Sequence, residues 1–173
     1  MSNGIDAQRV IVTAGGSGIG RAIVDRFVAG GARVHTCDVQ QELLDGVIAS
    51  DDRISGSLAD VGEPKDVEEM VAAAVEVMGG IDVLVNNAGI GGPRAALEDI
   101  SYADWDRTIG VNLNGMFYCI KNVAPHMKAQ KSGCIVNIST ASAKVALPMR
   151  SPYVALKVGV LGLSHTVARE YGP

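Results

Sequence analysis

Apolar residues in this chain fall into short continuous runs separated by stretches at helical spacing. Val10, Ile11 and Val12 are three β-branched residues in a row, and they lead into Thr13-Ala14-Gly15-Gly16-Ser17-Gly18-Ile19-Gly20. Residues 21–28 then place apolar side chains at helical intervals, which predicts strand, tight loop and helix in that order. Gly30-Gly31 ends the helix, and residues 32–38 read as a second strand closing on the carboxylate of Asp38. A short helix over 41–50 and a third strand over 53–58 follow. Pro64 opens a helix whose Met70, Val71, Ala74, Val75 and Met78 share a face, behind acids at its start where the helix dipole favours them. Gly79-Gly80 stops it. Residues 81–85 form a fourth strand with hardly a polar residue beyond Asp82, as a parallel strand covered on both faces requires.

Residues 105–129 predict one long helix with Ile109, Leu113, Phe117, Ile120, Ala124 and Met127 as its stripe and Pro125 bending its last turns. A fifth strand over 133–139, a loop over 140–150 and a helix over 151–171 complete the pattern. Strands alternating with helices, without repeats or low-complexity linkers, predict an α/β fold: a doubly wound parallel sheet in a three-layer α/β/α sandwich. The ligand crevice of such a sheet lies at the carboxyl ends of its strands.

Composition narrows the function classes. A chain of 173 residues, 47% hydrophobic and 20% charged, suits one soluble domain, here residues 1–173. Its net charge of −4 supplies no basic footprint for nucleic acid or an anionic membrane. Residues 1–10 lack the basic start and apolar run of a signal peptide, and no apolar stretch is long enough to span a bilayer, so a cytoplasmic location is expected. Cys37, Cys119 and Cys134 are widely separated, as are His35, His126 and His165; reduced thiols and structural histidines are expected, and no metal site.

The glycine loop carries the first candidate chemistry. After a strand and before a helix, glycines let the backbone approach a pyrophosphate while the helix directs free N–H groups at it. A kinase-type P-loop is excluded because Arg21 follows Gly20 where Lys and Ser or Thr would stand. Asp38 lies 18 residues beyond Gly20. A carboxylate about 20 residues past such a loop accepts hydrogen bonds from an adenosine ribose and repels a 2′-phosphate. Ser17 and Val39 are not basic, so NAD is favoured over NADP. Tyr153 and Lys157 stand at i and i+4 on one helix face. A phenol titrates near 10 in water, and a neighbouring ammonium favours the phenolate, which makes the pair an acid/base device at neutral pH. In isolation the default reading of the same pair is a half-buried Tyr beside a snorkelling Lys on an amphipathic helix.

Together, Thr13 to Gly20, Asp38, Asp60, Asn86-Asn87-Ala88-Gly89, Asn112, Thr140 and Tyr153-Val-Ala-Leu-Lys157 resemble the short-chain dehydrogenases/reductases, over nearly the whole chain. The resemblance implies a Rossmann-type fold and an NAD-dependent oxidoreductase that interconverts a secondary alcohol and a ketone. It implies that Tyr153 passes a proton to or from the substrate oxygen, that Lys157 also holds the nicotinamide ribose, and that Asn112 anchors a water in the proton relay. Thr13, Gly15, Gly16, Ser17, Gly18, Ile19 and Gly20 would line the pyrophosphate. Asp60 and Val61 would border the adenine, and Asn87, Ala88 and Gly89 the rest of the cofactor.

Three departures accompany the resemblance. Ala14 replaces the family's first glycine, which is tolerable at negative φ. Thr140, thirteen residues before Tyr153 and flanked by Ser139 and Ser142, replaces a serine; it keeps the hydroxyl but adds a methyl. The family sheet continues for two further strands and a substrate-covering segment, which this chain lacks. Its fifth strand is then expected to be an open edge. Self-association through the 105–129 and 151–171 helices is implied, as a dimer or tetramer. The alternative function is a non-catalytic NAD-binding module, or an inactive shortened dehydrogenase acting as a sensor or assembly partner.

Overall fold

The structure is a computed structural model that describes residues 7–172. Residues 1–6, on which part of the signal-peptide expectation rests, and Pro173 lie outside the described residues. Five strands, β1 Arg9–Thr13, β2 Arg33–Asp38, β3 Ile54–Leu58, β4 Val83–Asn86 and β5 Cys134–Asn137, form one parallel sheet in the order β3-β2-β1-β4-β5. The chain starts at the centre, runs outward to β3, then crosses back to β4. The reversal falls between β1 and β4, so the crevice expected of a doubly wound sheet opens at their carboxyl ends.

The alternation along each strand divides the core into two layers. Val10, Val12 and Val34 point to one face, under helices α1 Gly18–Ala29 and α2 Gln41–Ile48, where Val24, Val28, Leu44 and Val47 meet them. Ile11, Cys37 and Leu84 point to the other, under α3 Pro64–Met78, where they join Val67, Met70, Val71 and Ala74. Each such side chain, fully buried, contributes roughly 1.5–3 kcal/mol of transfer free energy. At the amino end of the sheet Arg9 clamps Asp82 through its Nε and Nη2, at 2.9 and 2.6 Å, and holds that carboxyl below its ordinary range.

The long helix departs from the predicted stripe. Helix α4 Tyr102–Ile109 passes through a π-turn, Gly110–Asn114, into α5 Gly115–Gln130, and the Gly115 N–H donates to Gly110 O, five residues back. The extra residue in that turn rotates everything after it by roughly 100°. Ile120, Ala124 and Met127 are buried as the stripe predicts, and Val111, Met116, Cys119 and Val123 join them in the core, whereas Phe117, expected in the stripe, is 46% exposed. The final helix, α6 Ser151–Tyr171, buries Pro152, Leu156, Lys157 and Val160. The edge strand β5 alternates exposed and half-buried residues, in contrast to fully buried β4. No helix among the described residues is long and apolar enough to cross a membrane.

Candidate active site

The glycine loop is held from three sides. Gly15 N–H donates to Cys37 O at 3.1 Å, which ties the loop to β2. The Thr13 hydroxyl accepts N–H groups from Asn87 and Ala88, at 3.0 and 2.9 Å, and the Asn87 amide donates to Thr13 O and Ala14 O, at 3.0 and 3.3 Å. The Asn86 to Gly89 motif therefore closes the switch point by fastening the end of β4 to the end of β1. A Cβ on Gly20 would run into Ala14 O, so only glycine lets α1 approach this closely. Gly18, at φ +55° with open space beside it, is the part of the loop left free for a ligand. Ser17 is the N-cap of α1 but makes no capping bond with its side chain, and Ile19 is 69% exposed.

The condition under which Ala14 would be tolerated without strain is not met. Ala14 has φ +54°, the left-handed region, and not the negative φ that an alanine tolerates without strain. The turn from β1 into the loop demands that conformation whatever residue stands there, and alanine bears the steric cost of its Cβ against the carbonyl oxygen.

At the end of β2, Asp38 is buried, and its Oδ2 accepts the Gly16 N–H at 3.2 Å while its Oδ1 accepts that of Gln40 at 3.1 Å. The carboxylate thus stands directly against the glycine loop. At the end of β3, Asp60 accepts the Gly62 N–H at 2.8 Å and an ion pair from Arg107 of α4 at 2.7 Å. That arginine is absent from the expected site residues; no spacing in the sequence pairs positions so far apart. The Val61 side chain packs in the core, and its carbonyl oxygen lies against Gly115 of α5.

The π-turn positions Asn112. Its Nδ2 donates to Thr108 O at 2.9 Å and, across the crevice, to Ile90 O at 3.0 Å. Its Oδ1 is buried without a hydrogen-bond partner among the described residues, as is Asn86 Oδ1. A buried acceptor without a donor is costly, roughly 1–3 kcal/mol, and marks a place for a water or a ligand N–H.

Lys157 is 5% exposed, and burial lowers its pKa below the usual ammonium value. Its Nζ donates to Ile138 O at 2.7 Å and lies 5.8 Å from the centre of the Tyr153 ring. Ser139, at the end of β5, donates to Lys157 O at 3.2 Å and pins α6 to the sheet. The structure thus brings Tyr153 and Lys157 together at the carboxyl end of β5. The Thr140 hydroxyl is engaged inside its own loop, where it accepts the Ser142 N–H at 3.3 Å as the N-cap of a 3-10 turn. Cys37 and Cys119 are buried thiols whose pKa burial raises, Cys37 to about 12, and Cys134 is exposed.

The residues fit a dinucleotide: an open loop at the switch point, a carboxylate against it, and a buried orphan acceptor farther along the crevice. Fold and site define the class of Rossmann-type oxidoreductases. The chain belongs to the short chain dehydrogenase family, whose model matches residues 8–173. It is 39% identical to a (2S)-[(R)-hydroxy(phenyl)methyl]succinyl-CoA dehydrogenase subunit of Thauera aromatica, over 98% of this chain and 69% of that protein. It is 41% identical to 2-(R)-hydroxypropyl-CoM dehydrogenase of Xanthobacter autotrophicus, over 93% of this chain and 67% of that one. Among solved structures, levodione reductase superposes with a TM-score of 0.91 at 36% identity, over 96% of this chain and 67% of that one. NAD+-bound xylitol dehydrogenase superposes at 0.93 and 28% identity, over 98% and 66%. The chain spans about two thirds of the length of these relatives.

Proposed function

We propose that the chain is the NAD-binding and catalytic part of a dehydrogenase that interconverts a secondary alcohol and a ketone. The observation that carries this reading is the placement of the buried Lys157 ammonium 5.8 Å from the Tyr153 ring. Asp38 would hold the adenosine ribose, and the N–H groups around Gly18 and the start of α1 the pyrophosphate. Asp60 with the Val61 backbone would border the adenine. Bound NAD would supply a hydride acceptor. In alcohol oxidation Tyr153 takes the hydroxyl proton, and Lys157 stabilises the phenolate that does so. Thr140, once its loop bond to Ser142 yields, would orient the substrate oxygen. The unpartnered Asn112 Oδ1 would hold a water that returns the proton to solvent. Related alcohol- and ketone-acting dehydrogenases, including a cyclohexanol dehydrogenase 33% identical to this chain, support the reaction class.

Self-association through α5 and α6 belongs to the same reading. Phe117 and Val158, turned outward on these two helices at 46% and 49% exposure, would be its contacts.

The test is NADH production from a panel of secondary alcohols, with Tyr153→Phe beside the parent. Loss of about 10²–10⁴ in turnover is expected on removing the general acid/base, with NADH affinity retained. Turnover by Tyr153→Phe close to the parent's would remove Tyr153 from the role.

A further inference from the structure

Two loops frame the crevice beside Tyr153: residues 87–101, between β4 and α4, and residues 138–150, between β5 and α6. They are bridged. The Ala95 N–H donates to Met149 O at 3.2 Å, and Arg150 Nη1 donates to Gly91 O at 2.9 Å and to Gly92 O at 3.1 Å. Those two bonds use both hydrogens of Nη1 and fix the plane of the guanidinium. The opposite edge, Nε–H with Nη2, has no partner among the described residues. It presents two parallel N–H groups, the fork that matches both oxygens of a carboxylate.

Charge and surroundings point the same way. Among the described residues Arg150 makes no ion pair, and neither do Arg94 and Lys144 on the same two loops; the ion pairs of this chain lie elsewhere. The two loops carry three cations, Arg94, Lys144 and Arg150, against two acids, Glu98 and Asp99, and so are net positive on a chain of net charge −4. Exposed apolar side chains accompany them: Ile90 and Leu97 on the first loop, Val145, Leu147 and Met149 on the second. An apolar lining with one fixed polar anchor is the usual composition of a small-molecule site. Arg150 is the N-cap of α6, one turn before Tyr153. Bridging the loops needs Nη1 alone, so the other edge is left for a ligand that enters between the two loops.

We propose that Arg150 recognises a carboxylate on the substrate, so that the substrate class is a hydroxy acid, or the corresponding keto acid, with a hydrocarbon body. This rests on the reading of Tyr153 as the acid/base. A neutral alcohol would leave the guanidinium edge without its partner and bind more weakly.

The experiment pairs α-, β- and γ-hydroxy acids bearing hydrocarbon tails with their methyl esters and measures binding to the NADH-loaded chain by calorimetry. The acid is expected to bind at least about tenfold more tightly than its ester, a difference of about 1.4 kcal/mol. Arg150→Gln should abolish the difference while leaving ester affinity within a few-fold, and Arg150→Lys should keep part of it. In turnover assays the loss should appear in KM for the acid. Equal affinity for acid and ester in the parent, an acid preference that survives Arg150→Gln, or no binding by any pair overturns the proposal. No turnover with the acid preference intact overturns the dehydrogenase reading alone. Turnover of esters and acids alike, without preference, overturns this inference alone.

Discussion

A Cβ on Gly89 would stand 2.5 Å from the side-chain oxygen of Asn112. The motif at the end of β4 and the π-turn of the long helix are therefore fitted to one another across the crevice. The π-turn directs Asn112 inward, and the missing side chain at position 89 makes room for it. Gly89→Ala should destabilise the chain by about 1–3 kcal/mol, as overpacking of a well-filled interior does. Asn112→Ala removes the opposing atom, so adding Gly89→Ala to it should cost little more. Urea denaturation of the two single variants and the double variant measures the coupling; strictly additive losses would refute the fit.

Ala14 offers a stabilising substitution. Its left-handed backbone costs a non-glycine residue about 1–2 kcal/mol, and glycine loses about 0.4–1 kcal/mol of that advantage through the freedom of the unfolded chain. Ala14→Gly is expected to raise the denaturation midpoint by an amount equivalent to about 0.5–1 kcal/mol. A lowered midpoint would mean that the methyl makes contacts that outweigh the strain.

Asp38 is both a structural acceptor for the Gly16 N–H and the proposed reader of the adenosine ribose. Asp38→Asn keeps an acceptor but removes the charge. NADH affinity should fall and NADPH affinity rise, moving their ratio by roughly tenfold, or about 1.4 kcal/mol. Fluorescence titration with both cofactors checks it. Equal affinity for the two in the parent would remove the carboxylate from the selective role.

His35 predicts how stability depends on pH. Its ring lies on β2 between two serines of β3, with Nδ1 2.9 Å from Ser55 Oγ and Nε2 3.0 Å from Ser57 Oγ, and it is 2% exposed. Burial lowers its pKa from 6.5 to about 4. The folded chain thus binds this proton more weakly than the unfolded chain does. Stability should be complete above pH 6.5 and decline as pH falls toward 4, by up to about 3 kcal/mol. Asp82, held low by Arg9, adds its own loss at lower pH, in the carboxylate range. His35→Gln should flatten the decline between pH 6.5 and 4 in denaturation midpoints, and an unchanged slope would assign it to other groups.

Much of this protein was decided by local sequence. Three β-branched residues before a glycine loop make β1 and the start of α1, because strand propensity and backbone freedom act over a few residues. The i, i+4 spacing of Tyr153 and Lys157 places both on one face of any helix they join. Apolar periodicity was enough for the order of strands and helices, and the position of Asp38 at a strand end follows from the same pattern.

Other features depend on partners distant in the chain, and only the tertiary structure decided them. The π-turn at Gly110–Asn114 shifts the phase of α5, so Phe117 faces outward although its spacing assigned it to the core. Arg107 meets Asp60 because the fold brings the side chain of a helix residue to the turn that follows β3, 47 residues away in the sequence. Ala14 adopts a conformation its residue type disfavours, since Asn87 and the close approach of Gly20 hold the turn in place. Lys157 is buried against Ile138 O by the packing of α6 on the sheet, and Arg150 bridges two loops that the sequence leaves more than fifty residues apart. Short-range pattern determines what each element is. Which side chains share a crevice is settled by the sheet order, the packing of the helices and the need to satisfy buried polar groups.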